Sequence, residues 1–201
     1  MKLFDFDNTI YDGESTVDFF MFVLNKKREI TRYIPLMVYS LLMYKANLLS
    51  LSKVQEIANK CTHVLVKHQD EAMQLVDEFW KNYSYKLKNS FLSKIGSDDV
   101  IITASPNVLI QGIQDQLGTS NIICSTINME KGTLDFLCMG ENKVKAFLKK
   151  YPNVIPDEFY TDSMMDAPLM SLAKKCFLVK GTRVSLISNA DKKEKNRKKR
   201  F

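Results

Sequence analysis

Glycine and proline are scarce in this chain, seven and five among 201 residues, and residues 14–95 hold no glycine and a single proline, Pro35. So few turn signals exclude frequent tight turns across that stretch. Cysteine is sparse as well. Cys61, Cys124, Cys138 and Cys176 stand far apart, and His63 and His68 are the only histidines, so neither a zinc site nor a disulfide framework is indicated. A reducing, cytoplasmic setting is the expectation. The opening MKLFDFD runs directly into an apolar stretch, which leaves no room for a signal peptide. Net positive charge is nearly missing from most of the chain. Of the formal +6, the last eleven residues, DKKEKNRKKRF, supply +5 as seven Lys/Arg less two Asp/Glu. The remaining body is nearly neutral and carries no RNA-binding or zinc-finger signature, which argues against a nucleic-acid partner. The basic tail, residues 191–201, reads as a separate appendage: a disordered solvating end, or an electrostatic arm for anionic lipid.

What the chain does have is enough apolar residues, 45%, to build a core, and a length that suits one domain with an insertion or two small ones. Near the start stands KLFDFDNTI, where Asp5 and Asp7 follow a short apolar run. In an extended chain alternate residues share a face, so the two carboxylates point one way and Phe4 and Phe6 the other. Crowded carboxylates raise one another's pKa, and a cation or a mobile proton between them gives a reason to keep them together. The alternative is an exposed strand end whose Asp-Asn pair starts a turn.

Apolar runs bounded by turn signals place four more strands, at 99–103, near 121–127, near 158–161 and at 176–180. Helical patterns lie between them: NVLIQGIQDQLG, ENKVKAFLKKYP and DAPLMSLAKK. Strands alternating with helices predict an α/β fold, a three-layer doubly wound parallel sheet. Residues 13–95 interrupt the alternation with amphipathic helix after amphipathic helix. The expected organisation is an α/β core of residues 1–12 and 96–190 with an inserted all-α cap. Chemistry in such sheets gathers at the carboxyl ends of strands, so the insertion is expected above them as a lid.

Further polar residues fall at that same edge. Thr103 follows the strand VII, with Ser105 close behind; TDSMMD places Asp162 and Asp166 at a strand-to-helix turn; GENKVKAF puts Lys143 in a helix's first turn, where a cation gains nothing from the helix dipole. Each has a plain structural reading, as strand residue, helix cap or surface charge. Together they resemble the haloacid dehalogenase superfamily of phosphohydrolases. Asp5, Asp7 and Thr9 match its Asp-x-Asp-x-Thr motif, Thr103 its second-motif hydroxyl, Lys143 its lysine, and TDSMMD its acidic motif, with Thr161 where glycine is common.

The resemblance implies a Mg²⁺-dependent phosphomonoester hydrolase. Asp5 would attack phosphorus to form an aspartyl-phosphate, and Asp7 would act as acid and then base. Mg²⁺ would be held by Asp5, the Asp7 carbonyl and Asp162, with Asp166 assisting. Thr103 and Lys143 would hold the phosphoryl oxygens, with Ser105 a second candidate for the hydroxyl. The implied alternative is a catalytically silent binding or scaffold protein of the same fold at a membrane surface.

The helical insertion resembles the cap of the phosphoserine-phosphatase-like branch. There Glu14, nine residues after Asp5, matches an acid that holds a substrate ammonium, although Glu14 and Ser15 equally suit a helix start. Residues 33–52 carry one charge, Lys45, in 20 positions. Their length approaches a membrane span, but Tyr, Ser, Asn and the central Lys argue against full insertion. They read as buried cap helices or as a membrane-apposed face; in the second case, with the basic tail, they resemble the caps of bacterial phosphatidylglycerophosphate phosphatases of this superfamily, which implies a lipid phosphate as substrate. Otherwise it is a small phosphorylated metabolite. The expected location is cytoplasmic, possible peripheral contact with an anionic membrane included.

Overall fold

The computed structural model describes residues 1–26, 34–46, 48–66 and 69–187. The basic tail and His68 lie outside them.

Strand β1 (Lys2–Phe4) has only three residues, yet it occupies the middle of a seven-stranded sheet ordered β4-β3-β2-β1-β5-β6-β7. It pairs in parallel with β2 (Val100–Pro106) and β5 (Glu158–Thr161). Outside these, also parallel, lie β3 (Ile122–Asn128) and β6 (Lys175–Lys180). Two antiparallel strands not expected from sequence, β4 (Thr133–Phe136) and β7 (Arg183–Leu186), close the edges. The fold is an α/β doubly wound sheet with helices on both faces.

The strand period of two divides the sheet's core. Leu3, Val100, Ile102, Phe159 and Cys176 face one side and pack with Phe147 of α7 (Glu141–Lys150) and Leu169 of α8 (Ala167–Met170). Phe4, Ile101 and Tyr160 face the other, against α1 (Ser15–Leu24), α4 (Gln69–Tyr83), α5 (Asn89–Leu92) and α6 (Asn107–Gln111). On this second face Phe4, Tyr160 and Phe177 are register partners on adjacent strands and stack with ring centroids 5.0 and 4.7 Å apart. Such pairs add about 0.5–1.5 kcal/mol each beyond the area they bury.

The helices between β1 and β2 do not all sit apart from the sheet. Phe19 and Phe22 of α1 and Phe79 and Trp80 of α4 share a core with Phe6 and Tyr11, and the Trp80 Nε1–H donates to the Leu109 carbonyl at 2.7 Å. Gly112 permits this approach, because a Cβ there would stand 2.7 Å from both Trp80 and Val76. Helices α2 (Ile34–Lys45) and α3 (Leu51–Val66) form a separate cluster: Met37, Val54, Ile57 and Ala58 pack against Leu134 and Leu137. The Asn59 side-chain oxygen accepts the Leu134 N–H at 2.8 Å, tying α3 to strand β4.

Candidate active site

The site begins where β1 stops. Asp5 continues the ladder with one bond, its N–H donating to the Tyr160 carbonyl at 2.8 Å. The Phe6 carbonyl then accepts the N–H groups of Thr9, Ile10 and Tyr11, curling the chain into a tight turn. Asn8 takes a left-handed φ of 58°, which asparagine adopts more readily than most residues. Alternation survives this turn: Phe4 and Phe6 enter one core, while Asp5 and Asp7 both line a cavity of about 170 Å³ at the carboxyl ends of the strands.

Asp7 lies at the start of α1. Its Oδ1 accepts the Ser15 N–H at 2.7 Å, one of the helix's unsatisfied N-terminal donors, and its Oδ2 accepts the Ser105 hydroxyl at 3.0 Å. These bonds favour the carboxylate. Burial and then the charge of Glu14 outweigh them, and the Asp7 pKa is pushed up to about 6. Glu14 is itself held by the Asn8 side-chain amide at 2.7 Å.

Asp5 and Asp166 share one cation. Lys143 Nζ donates to Asp5 Oδ1 at 2.7 Å and to Asp166 Oδ2 at 3.1 Å, all three side chains being buried. Burial disfavours the Lys143 ammonium, but the charges of Asp166 and Asp5 outweigh it and raise its pKa. Burial likewise holds the Asp5 carboxyl well above the usual range against the pull of Lys143, with Asp166 and Asp162 pushing the same way. Thr161, fully buried, donates its hydroxyl to Asp166 Oδ2 at 2.8 Å and accepts the Ser163 N–H at 3.1 Å. The sequence marked this threonine only as a departure from glycine; its work is to fix Asp166. Asp162, on the cavity wall, is positioned by Lys180, whose ammonium donates to its backbone carbonyl at 2.7 Å.

The two candidate hydroxyls take different places: β2 runs past Thr103 to Pro106, with a register shift between Ile102 and Pro106. Ser105 is therefore the one on the cavity wall, touching Asp7, Ser15 and Thr16. Thr103 is fully buried, its hydroxyl accepting the Ser105 N–H at 3.0 Å. Glu14, Lys143, Asp162 and Asp166 join Asp5 and Asp7 on the cavity.

The expected metal set is gathered only in part. Among the described residues no three His, Cys, Asp or Glu side chains are grouped so as to hold an ion, and Asp166 is bonded to Lys143 and Thr161. The donor chemistry nevertheless suits a hard divalent cation: every donor is an oxygen, and the carboxylates outnumber the one lysine among them.

The geometry gathers Asp5, Asp7, Asp162, Asp166, Lys143 and Ser105 on one cavity of a doubly wound sheet. The family model for haloacid dehalogenase-like hydrolases matches residues 3–171, and the chain belongs to that family. No curated protein matches it. Among solved structures, a protein of unknown function from Bordetella pertussis Tohama I has a TM-score of 0.67 at 18% identity, covering 88% of this chain and 87% of that one. A phosphoserine phosphohydrolase-like protein from Francisella tularensis subsp. tularensis SCHU S4 has a TM-score of 0.58 at 21% identity, covering 87% and 84%. Both likenesses concern the fold.

Proposed function

We propose that the protein hydrolyses phosphomonoesters through an aspartyl-phosphate on Asp5. The observation that carries this is the pairing on one cavity of a buried carboxylate clasped by Lys143 with a second, Asp7, whose pKa of about 6 suits proton transfer near neutrality. An Asp5 oxygen attacks phosphorus as the ester P–O bond breaks, and protonated Asp7 passes its proton to the leaving oxygen. Water then attacks the aspartyl-phosphate, Asp7 takes the water's proton, and phosphate departs with Asp5 restored. Lys143 offers its ammonium to the phosphoryl oxygens, Ser105 faces the same space, and Thr103 fixes the turn that presents Ser105. Asp166 and Thr161 position Lys143.

Asp5, the backbone carbonyl of Asp7 and Asp162 are the groups that would hold Mg²⁺, with Asp166 behind them. The ion when bound supplies charge neutralisation at the phosphoryl group. Activity is expected to vanish in chelator and return with Mg²⁺. Asp5→Asn is expected to fold and to lose turnover of p-nitrophenyl phosphate; substantial residual turnover would overturn the covalent route. A silent scaffold protein would show no turnover in the parent chain either.

Residues 13–95 act in this reading as the cap, with α2 and α3 as its covering part. Peripheral attachment to anionic membrane belongs to the same proposal, because Leu36, Tyr39 and Leu42 are exposed on one side of α2. No helix among the described residues is long and apolar enough to cross a membrane. Binding to anionic vesicles that weakens with salt, and on truncation after Ala190, would support attachment; protein left in the supernatant at low salt would refute it.

A further inference from the structure

The cavity does not end at the aspartates. Beyond them its wall is mostly side-chain carbon from separate parts of the fold, Val17 and Phe20 of α1, Met37 of α2, Ala58 of α3, and Leu134 and Leu137 around β4, interrupted by Glu14, Thr16, Tyr44, Thr62 and Ser125. These pieces are held in place independently of any ligand. Met37 and Ala58 belong to a buried cluster with Leu134 and Leu137, and the Asn59–Leu134 bond fixes α3 on the strand. A phosphoryl group seated at Asp5 would therefore direct its ester oxygen, and the first carbons after it, toward an apolar enclosure.

We infer that the substrate is a phosphomonoester of an apolar alcohol, alkyl or aryl, whose carbons next to the ester oxygen are enclosed by this wall. The inference rests on the hydrolytic reading of the same site. Volume limits the enclosure. An apolar cavity of about 150 Å³ accepts a molecule the size of benzene, and here about 170 Å³ must hold the phosphoryl group as well. Only a short apolar portion fits, and the rest of a longer chain must lie outside the cavity. Glu14 on the same cavity offers a partner to an ammonium, so phosphoserine is the competing substrate; a polar group set against the carbon part of the wall would lose its water uncompensated, which costs affinity.

The test compares methyl, butyl and hexyl phosphate with glycerol 3-phosphate and phosphoserine in the presence of Mg²⁺. Selectivity is expected to rise about fourfold in kcat/KM for each methylene taken into the wall, the equivalent of about 0.8 kcal/mol, and to level off once the chain outgrows it. Ala58→Phe, which fills the enclosure, should lower the hexyl-to-methyl ratio by roughly tenfold. An unchanged ratio, or glycerol 3-phosphate or phosphoserine turned over as well as butyl phosphate, would overturn the inference. Hexadecyl phosphate in neutral vesicles separates the sources: turnover there assigns a lipid phosphate, and turnover of hexyl phosphate alone assigns a soluble alcohol. If no ester is hydrolysed, the chemistry assigned to Asp5 fails. The wall is then judged by binding, and hexylphosphonate binding no more tightly than methylphosphonate would overturn it separately.

Discussion

Replacing Lys143 by methionine removes the one cation set between Asp5 and Asp166 while keeping a side chain of similar length. Both carboxylates are buried, at 6% and 7% exposure, and their bonds to the ammonium are 2.7 and 3.1 Å long. Breaking a buried ion pair by deleting one partner costs about 3–5 kcal/mol, because the other charge stays desolvated. That loss is expected at pH 7 from urea unfolding in chelator, which keeps divalent ions from standing in for the lysine. The deficit must also depend on pH. Burial already raises the Asp5 pKa with Lys143 present, so without it the native state holds a proton that the unfolded chain, with an aspartate pKa near 3.9, releases. A native state that binds the extra proton loses stability as pH rises, by up to about 1.4 kcal/mol per unit. Lowering the pH from 7 to 5 should therefore restore more stability to the variant than to the parent, in which Lys143 pulls the Asp5 pKa down. A deficit below about 1 kcal/mol at pH 7, or one identical at both pH values, would show that Lys143 is not clasped between buried charges.

Three further outcomes follow from other contacts. Glu14→Gln removes a charge that raises the Asp7 pKa, so the pH at which kcat falls on the alkaline side should move down from the parent's; an upward move would contradict the assignment of Asp7 as the acid. Trp80→Phe leaves the buried Leu109 carbonyl without its donor and should cost about 1–3 kcal/mol in thermal or urea unfolding; a neutral result would mean that water replaces the indole. Gly140→Ala forces a Cβ to 2.6 Å from the Tyr44 hydroxyl at a φ of 56°, so it should destabilise the protein and disturb the cap helix α2, seen as faster proteolysis within residues 34–45; unchanged stability and cleavage would refute that contact.

The parallel strands were legible because each is an apolar run between turn residues, and the acidic loops were legible because a charge at a buried strand end has few structural uses. The edge strands were not. TLDF and RVSL are short and mostly solvent-facing, so neither a continuous apolar run nor a clean alternation marks them. Ser105 stands second in the sequence because the apolar run ends at Thr103, whereas β2 continues, with a register shift, to Pro106. Helix lengths were overread where backbone breaks intervene: NVLIQGIQDQLG gives α6 of five residues before Gly112, and DAPLMSLAKK gives α8 of four. The tie from Lys143 to Asp166 has no local signature at all, because it exists only once the first turn of α7 meets the segment after β5.

The placement of β1 bears on how the chain is made as well as on what it does. Leu3 pairs with Val100 on one side and Phe159 on the other, so the central strand leaves the ribosome long before either neighbour exists. At roughly 5–20 residues per second, Leu3, Phe4 and Phe6 wait several seconds without a sheet to enter, and β5 arrives later still. Pairings this distant in sequence are slow to close and expose apolar surface meanwhile. Synthesis in a cell should therefore depend on chaperones that bind the nascent N-terminal segment, and a fragment ending before β5 would leave the catalytic loop attached to a strand with an open side.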